Sequence, residues 1–418
     1  VNLRLRGAPD LIILTATLLL VAFGLTMMLC ASEDCWTRPD GQPGERCATD
    51  SALGRQFERA LIGLAGLALA LAMRPAWIHR LAPFALLATL MLVALTLTPL
   101  GRGPDGHATS RWLSFFEMTL QPSEMLKLAL VVHLARLLAR KGATVASWSG
   151  LAPPIVLVVG VAALVAAEPS MGVALSIVLI GLGIIFAAGA RLGHLVALGG
   201  VAVSALVVRL WTVPYGWKRL LDFMAGPTSD RLGDGYQLDQ SLIALGSGGW
   251  IGKGFGESMQ KFQFLPASHT DFVFSIIGEE GGFVVAVLVL GIYALIVARA
   301  LWLSMVLGDP FRSLLAAGVA MMISVQVILN VAVVTGLMPT TGLPLPFLSY
   351  GGSSLVVHLA AVGILLRVSA DAPAGVTQRT AIATGGSAAG RGTLGAPTGM
   401  PRAVRDMVPV ATAKAVRA

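Results

Sequence analysis

Charge is scarce in this chain. Asp, Glu, Lys and Arg make up 12% of its 418 residues, against about a quarter in a soluble domain. That is too little to clothe a water-facing surface, so an ordinary soluble globule is excluded. Cysteine is scarcer still, with three in all. No cysteine–histidine spacing suits zinc, and the six histidines are scattered. Aromatic residues are 6% and do not interleave with a basic patch, so the net charge of +8 does not mark a nucleic-acid partner. Internal repeats are absent. The first apolar block, Leu11 to Leu29, is too long for a signal-peptide core and lacks a small-residue cleavage site; it reads as a retained span.

What the chain has in abundance is apolar length. Its residues are 56% hydrophobic, with a mean hydropathy of +0.79. They fall in blocks of about 17 to 25, enough to cross a hydrocarbon core of about 30 Å. The expected fold is an all-α integral membrane protein of about ten spans, at 11–30, 57–73, 77–99, 122–139, 151–167, 171–188, 194–211, 273–298, 312–335 and 352–369. Arg4 and Arg6, Arg74 and Arg80, then Arg136, Arg140 and Lys141, then Arg191, then Arg299 and Arg312 fill alternate short loops. By the positive-inside rule these loops and both termini are cytoplasmic, in the bacterial inner membrane. The polytopic domain then covers 1–370, with a large extracytoplasmic loop at 212–272. Residues 371–418 form a basic cytoplasmic tail, low in aromatics and expected to be disordered. In the first outer loop Cys35 and Cys47 either form a bridge, as an oxidising compartment would permit, or remain two free thiols.

Three clusters of polar residues stand at the expected outer ends of spans. The first is Leu265-Pro266-Ala267-Ser268-His269-Thr270-Asp271-Phe272, directly before an apolar run. A carboxylate at the mouth of a span is a functional candidate by default, although Thr270 or Asp271 would also serve as a plain N-cap. Glu279 and Glu280 follow on the same helix, too deep for capping to explain. The second cluster is Ser110-Arg111-Trp112 with Gln121-Pro122-Ser123-Glu124-Met125-Leu126-Lys127. Pro122 suits a first helical turn, and Glu124 and Lys127 share a face three residues apart. A lysine inside a span either binds an anion or forms a self-contained ion pair. The third is Pro344-Leu345-Pro346-Phe347-Leu348-Ser349-Tyr350-Gly351-Gly352-Ser353-Ser354. Glycines ahead of a helix let backbone N–H groups approach a phosphate; a loop with a serine cap is the bland reading. The run Gly246-Ser247-Gly248-Gly249-Trp250-Ile251-Gly252-Lys253-Gly254 has the flavour of a P-loop. It fails the pattern at Ser247 and Gly254.

Through these motifs the sequence resembles the SEDS family (shape, elongation, division and sporulation) over roughly residues 10–370. The pieces are Arg111-Trp112, the run from Gln121 to Lys127, Gly235-Tyr236-Gln237 with Gln240-Ser241, His269 to Phe272, and Ser349 to Ser354. Gln260-Lys261 and Ser353-Ser354 look more like the FtsW branch than RodA. The resemblance implies peptidoglycan glycosyltransfer from lipid II, for septal wall synthesis or else elongation. It also implies a class B penicillin-binding transpeptidase as partner, alongside other divisome or elongasome membrane proteins. It places the catalytic aspartate at Asp271 and substrate contacts at Arg111, Trp112, Glu124 and Lys127. Further substrate-binding candidates are Lys253, Lys261, His269, Thr270, Ser349, Gly351, Gly352 and Ser353. A divalent cation, Mg or Mn, on the pyrophosphate is compatible with the chemistry, yet no ligand cluster demands one. A flippase for the same lipid-linked precursor is the rival expectation, since broken spans with internal charges suit transport too.

Overall fold

The structure is a computed structural model. It describes residues 7–372 apart from 32–51, 99–100, 102–110, 116–117, 169, most of 213–233, 261–264 and 266–269. Cys35, Cys47, Lys261, His269 and the tail beyond Ala372 therefore lie outside the described residues. Val1–Ala374 forms one compact unit.

Ten helices occupy the ten expected spans. They are α1 (Leu11–Ala31), α2 (Ala52–Ala72), α3 (Pro75–Thr96), α4 (Pro122–Lys141), α5 (Trp148–Ala167), α6 (Met171–Ala187), α7 (Leu192–Thr212), α9 (Val273–Val306), α10 (Pro310–Val334) and α11 (Gly352–Ser369). An additional helix, α8 (Asp234–Gly248), folds within the long loop and packs on α9 and α10. A hairpin of two three-residue strands, β1 (Leu113–Phe115) and β2 (Met118–Leu120), precedes α4. It is a small departure from the all-α expectation.

Six of these helices are long and apolar enough to cross a membrane, and α6 with the first half of α7 are shorter apolar helices. The remaining two, α2 and α4, carry charges along their length: Arg55, Glu58 and Arg59 in one, Glu124 and Lys127 in the other. The surface is inverted relative to a soluble protein. Leu69, Phe84, Val156 and Leu288 face outward, while Glu124, Lys127, Glu168, Glu279, Gln326 and Asn330 are buried. In water such a surface would aggregate; in lipid it is the solvent-facing side. This is a multi-pass membrane protein.

Local chemistry sets where the helices begin. Asp10 accepts from the N–H groups of Ile12 and Ile13 at the head of α1. Ser147 accepts from Gly150 N at the head of α5. Asp309 accepts from Phe311 and Arg312 ahead of α10, whose first residue is Pro310. Each satisfies donors that a helix start leaves orphaned.

Long-range polar contacts sort the helix ends into two sets. At one end Asp10 pairs with Arg299 of α9 at 2.6 Å and its N–H donates to Ser369 of α11. Arg367 reaches the carbonyl of Met73 there, and Arg312 approaches Asp371. At the other end lie the end of α3 and the starts of α2, α4, α9 and α11. The described bundle thus begins and finishes at the same end, as an even number of crossings requires.

The candidate functional site

The apolar helix α9 starts beside the end of α10. Phe272 occupies its cap position and has no side chain that can cap. Asp271, one residue earlier, lines a cavity of about 350 Å³ together with Arg111, Gln237, Asn330, Thr341 and Gly342. The carboxylate stands against the Gly342 backbone: a Cβ built there would lie 3.6 Å from Asp271 Oδ2. Gly342 has φ +69, a conformation that suits glycine. Trp112 follows Arg111 into the hairpin and is half-buried, and Thr270 is half-buried beside Asp271.

Two amides on α10 hold this end together. Asn330 Nδ2 donates to the carbonyls of Asp271 and Leu343, both at 2.8 Å. Gln326, one turn earlier on the same face, donates through Nε2 to the Pro344 carbonyl at 2.8 Å and to Ser354 Oγ at 3.3 Å. The irregular stretch at 336–351 survives beside apolar helices because its carbonyls find such donors. Neither amide was singled out by the sequence motifs. The signal was present, since Gln326 and Asn330 are polar residues four apart in an otherwise apolar run.

The second cluster is buried to a degree its sequence does not reveal. Glu124 and Lys127 have no exposed side-chain surface, and Lys127 Nζ lies 2.7 Å from Glu124 Oε1. The same ammonium donates to Gln326 Oε1 at 2.6 Å. Gln121 N donates to Ser353 Oγ at 2.9 Å, which ties the start of α4 to the start of α11. Ser349 accepts from Leu345 N through Oγ at 2.7 Å and from Gln56 through its carbonyl. Gly351 and Gly352 lie half-buried at the N-terminus of α11. Arg59 of α2 lies beside Gly352 and over the Tyr350 ring. The second and third motifs therefore form one interlocked assembly through α10.

Lys253 sits apart from the cavity lining and pairs with Glu279 at 2.7 Å. Glu279 also accepts from Ser258 Oγ and from the N–H groups of Met259 and Gln260, while Glu280 accepts from Ser258 N. These are the partners that the two deep carboxylates require. The glycine-rich run has a different purpose from phosphate binding. Lys253 N and Gly254 N donate to the carbonyls of Glu279 and Glu280, and Phe283 N donates to Gly249 O. A Cβ on Gly252 would fall 2.1 Å from Glu280 O, and one on Gly248 would fall 1.9 Å from Gly278 O. Backbone lies against backbone here, at a kink in α9 where Gly282 takes φ +70.

Fold and site together define a polytopic α-helical membrane protein with an aspartate and an arginine facing one cavity at an end of its bundle. A family model described as "Cell cycle protein", covering the FtsW, RodA and SpoVE proteins, matches residues 10–373. A probable peptidoglycan glycosyltransferase FtsW from Trichlorobacter lovleyi is 38% identical over 364 residues, 86% of this chain and 93% of that protein. Stage V sporulation protein E of Bacillus subtilis is 36% identical, covering 87% and 98% respectively. Among solved structures, a chain of a peptidoglycan synthase complex superposes with a TM-score of 0.71 at 30% identity, over 87% of this chain and 98% of that one. The rod shape determining protein RodA of Thermus thermophilus superposes at 0.64 with 29% identity and the same coverage. The chain belongs to the FtsW/RodA/SpoVE family.

Proposed function

We propose that the chain is a peptidoglycan glycosyltransferase that polymerises lipid II into glycan strands. The observation that carries this is the shared cavity of Asp271 and Arg111, with the Asp271 backbone fixed by Asn330. Glycosyl transfer needs a base and a cation at one place. The Asp271 carboxylate takes the proton from the acceptor sugar's hydroxyl. That oxygen forms a bond to the donor's anomeric carbon, the bond from this carbon to the pyrophosphate breaks, and undecaprenyl pyrophosphate leaves with the electron pair. Arg111 supplies preorganised positive charge to the departing phosphates. Trp112 and Thr270 are the chain neighbours of these two residues, half-buried, and join them as substrate contacts.

Lys127 and Glu124 act as a strut. With Gln326 they set the spacing of α4, α10 and the loop that carries Gly342. Ser349 and Ser353, with Gly351 and Gly352 between them, tie the head of α11 to α2 and α4, and Lys253 serves Glu279. Among the described residues no three His, Cys, Asp or Glu side chains converge, and no step in this mechanism runs through a metal. A class B penicillin-binding transpeptidase is the partner that crosslinks the product. The likeness to a chain from a peptidoglycan synthase complex supports that pairing. The protein resides in the bacterial inner membrane with both termini cytoplasmic, which the basic loops support. A reporter fused after Gly233 then reads extracytoplasmic, and one after Arg140 cytoplasmic.

The decisive experiment is glycan-chain formation from lipid II by detergent-solubilised protein, with the transpeptidase present. Detergent leaves no opposite leaflet, so a flippase would form no polymer. Asp271→Asn keeps the shape and removes the base. Near-normal polymer from this variant would overturn the assignment.

A further inference from the structure

Gly235-Tyr236-Gln237 and Gln240-Ser241 are motif pieces to which the proposed reaction gives no part. They lie on α8, the helix folded within the long loop. Leu238, Ser241, Ala244 and Gly248 recur there at steps of three and four residues and are all buried, so they form one inward stripe. Ser241 pins that stripe at its centre. Its hydroxyl donates to the Val334 carbonyl at the end of α10, at 2.8 Å. A hydroxyl has one hydrogen, so Ser275 Oγ of α9, also 2.8 Å away, donates to Ser241 in turn. Gly248 lies against the backbone of Gly278 on the same helix. Helix α8 is thereby held in register with α9 at two places a pair of turns apart.

Gln237 stands one turn before Ser241 on the same face. It is half-buried and lines the cavity that Asp271 and Arg111 share. The other polar side chains of that lining are uncharged: Asn330, Thr340 and Thr341. Asn330 has given both amide hydrogens to the Asp271 and Leu343 carbonyls. Carbonyls only accept, so its nitrogen faces them. Its Oδ1 is left buried without a hydrogen-bond partner, and so is Thr341 Oγ1. The lining thus sets one carboxylate against one guanidinium and is otherwise neutral and polar, with bonding capacity unmet. Such a wall suits hydroxyl groups better than a further ion.

We infer that Gln237 is a substrate-binding residue: its carboxamide grips the hydroxyl next to the reacting one on the acceptor sugar and so turns the reacting oxygen toward Asp271. A carboxamide carries an acceptor and a donor side by side, and a sugar hydroxyl can meet either. Gln237 moves no proton. It fixes the orientation of the ring, and orientation is a large part of what brings two reactants together. The inference rests on the reading of Asp271 as the base of glycosyl transfer.

The test compares lipid II with an analogue in which hydrogen replaces the hydroxyl adjacent to the acceptor hydroxyl. Full-length protein polymerises each in detergent with its transpeptidase partner. The wild type should favour lipid II by at least about tenfold in kcat/KM, because the analogue leaves the amide unpaired. Gln237→Met keeps an unbranched chain and loses the amide. It should slow lipid II and leave the analogue at its wild-type rate, so that most of the preference disappears. Gln237→Ala should do the same, and thermal unfolding shows which variant is folded and decides. A wild type that uses both substrates equally overturns the inference without any variant, as does a folded variant that keeps the wild-type preference. A variant that slows both substrates alike would make Gln237 a prop for Asp271 or Arg111, and that also overturns it. Asp271→Asn separates the inference from its premise. If that variant polymerises lipid II normally, the premise fails. If it is inactive while the wild type ignores the missing hydroxyl, only the inference about Gln237 fails.

Discussion

Asp309 and Asp271 each stand just ahead of a long apolar helix, and in sequence the two look interchangeable. At the start of α10, Asp309 is half exposed and its Oδ1 accepts from Phe311 N at 2.9 Å and Arg312 N at 3.4 Å. Asp10 does the same for α1. At the start of α9 the cap position belongs to Phe272, and the Asp271 carboxylate borders the Arg111 cavity beside Gly342. A capping aspartate is paired with its own helix. Asp271 instead has its backbone held by another helix, through Asn330, and presents its side chain to a space. In the proposed mechanism that difference separates a structural carboxylate from a chemical one, and the variants below are ways to break it.

The largest effect falls on Asp271. Asp271→Ala should accumulate and melt close to the wild type, yet lose at least about a hundredfold in glycan polymerisation, the lower range for a positioned general base. A large loss of melting temperature with activity retained per folded molecule would instead make Asp271 a cap and erase the contrast. Next comes Asn330→Ala, which strips donors from the Asp271 and Leu343 carbonyls. Leaving buried carbonyls unpaired costs about 1–3 kcal/mol each. Both thermal stability and kcat should fall, because the carboxylate loses its anchor. Stability lost with kcat intact would show that Asp271 needs no such positioning. Gly342→Ala is milder. The new methyl would make an ordinary contact with Asp271 Oδ2, while the left-handed backbone costs about 1–2 kcal/mol. The expected readout is a modest drop in melting temperature and a KM increase larger than the kcat decrease.

The ten spans were legible because the length of an apolar block is a direct physical requirement of the bilayer. Even α2 and α4 were legible, although their charges take them outside a hydropathy criterion. Helix ends were less so: the eighth span continues to Val306 rather than stopping near 298. Arg299, which reads as an end signal, is instead held inside the helix by Asp10. The motifs Arg111-Trp112, Glu124 to Lys127 and Asp271 were visible as polar residues where lipid would reject them. What sequence could not separate was which charges are consumed. For Lys127 the sequence offered both an anion and an ion pair with Glu124, and the structure shows the pair. Lys253 read only as a substrate contact, and its partner Glu279, 26 residues away, is visible only in three dimensions. Gln326 and Asn330 lie outside the motifs that the sequence singled out. Their importance comes from the carbonyls and the ammonium that distant parts of the chain bring to them.

The smallest expected effect tests the other half of the comparison. Asp309→Ala removes the cap of α10 and leaves two N–H groups to water, at a cost of about 0.5–2 kcal/mol. Its ion pair with Arg312, at 3.4 Å and largely solvated, adds less than about 1 kcal/mol. Arg312 also keeps Asp371 within 3.5 Å, so the guanidinium is not stranded. Asp309→Asn should be nearly neutral, because asparagine caps about as well as aspartate. The ranking is therefore the reverse of that at Asp271, where asparagine and alanine should be equally inactive. Thermal unfolding of the two Asp309 variants, set beside polymerisation by the same preparations, reads both predictions at once. Activity per folded molecule should stay at the wild-type level in each. A loss of polymerisation in Asp309→Asn would mean that a carboxylate at the far end of α10 communicates with the cavity, and the two aspartates would no longer be separable by the bonds they make.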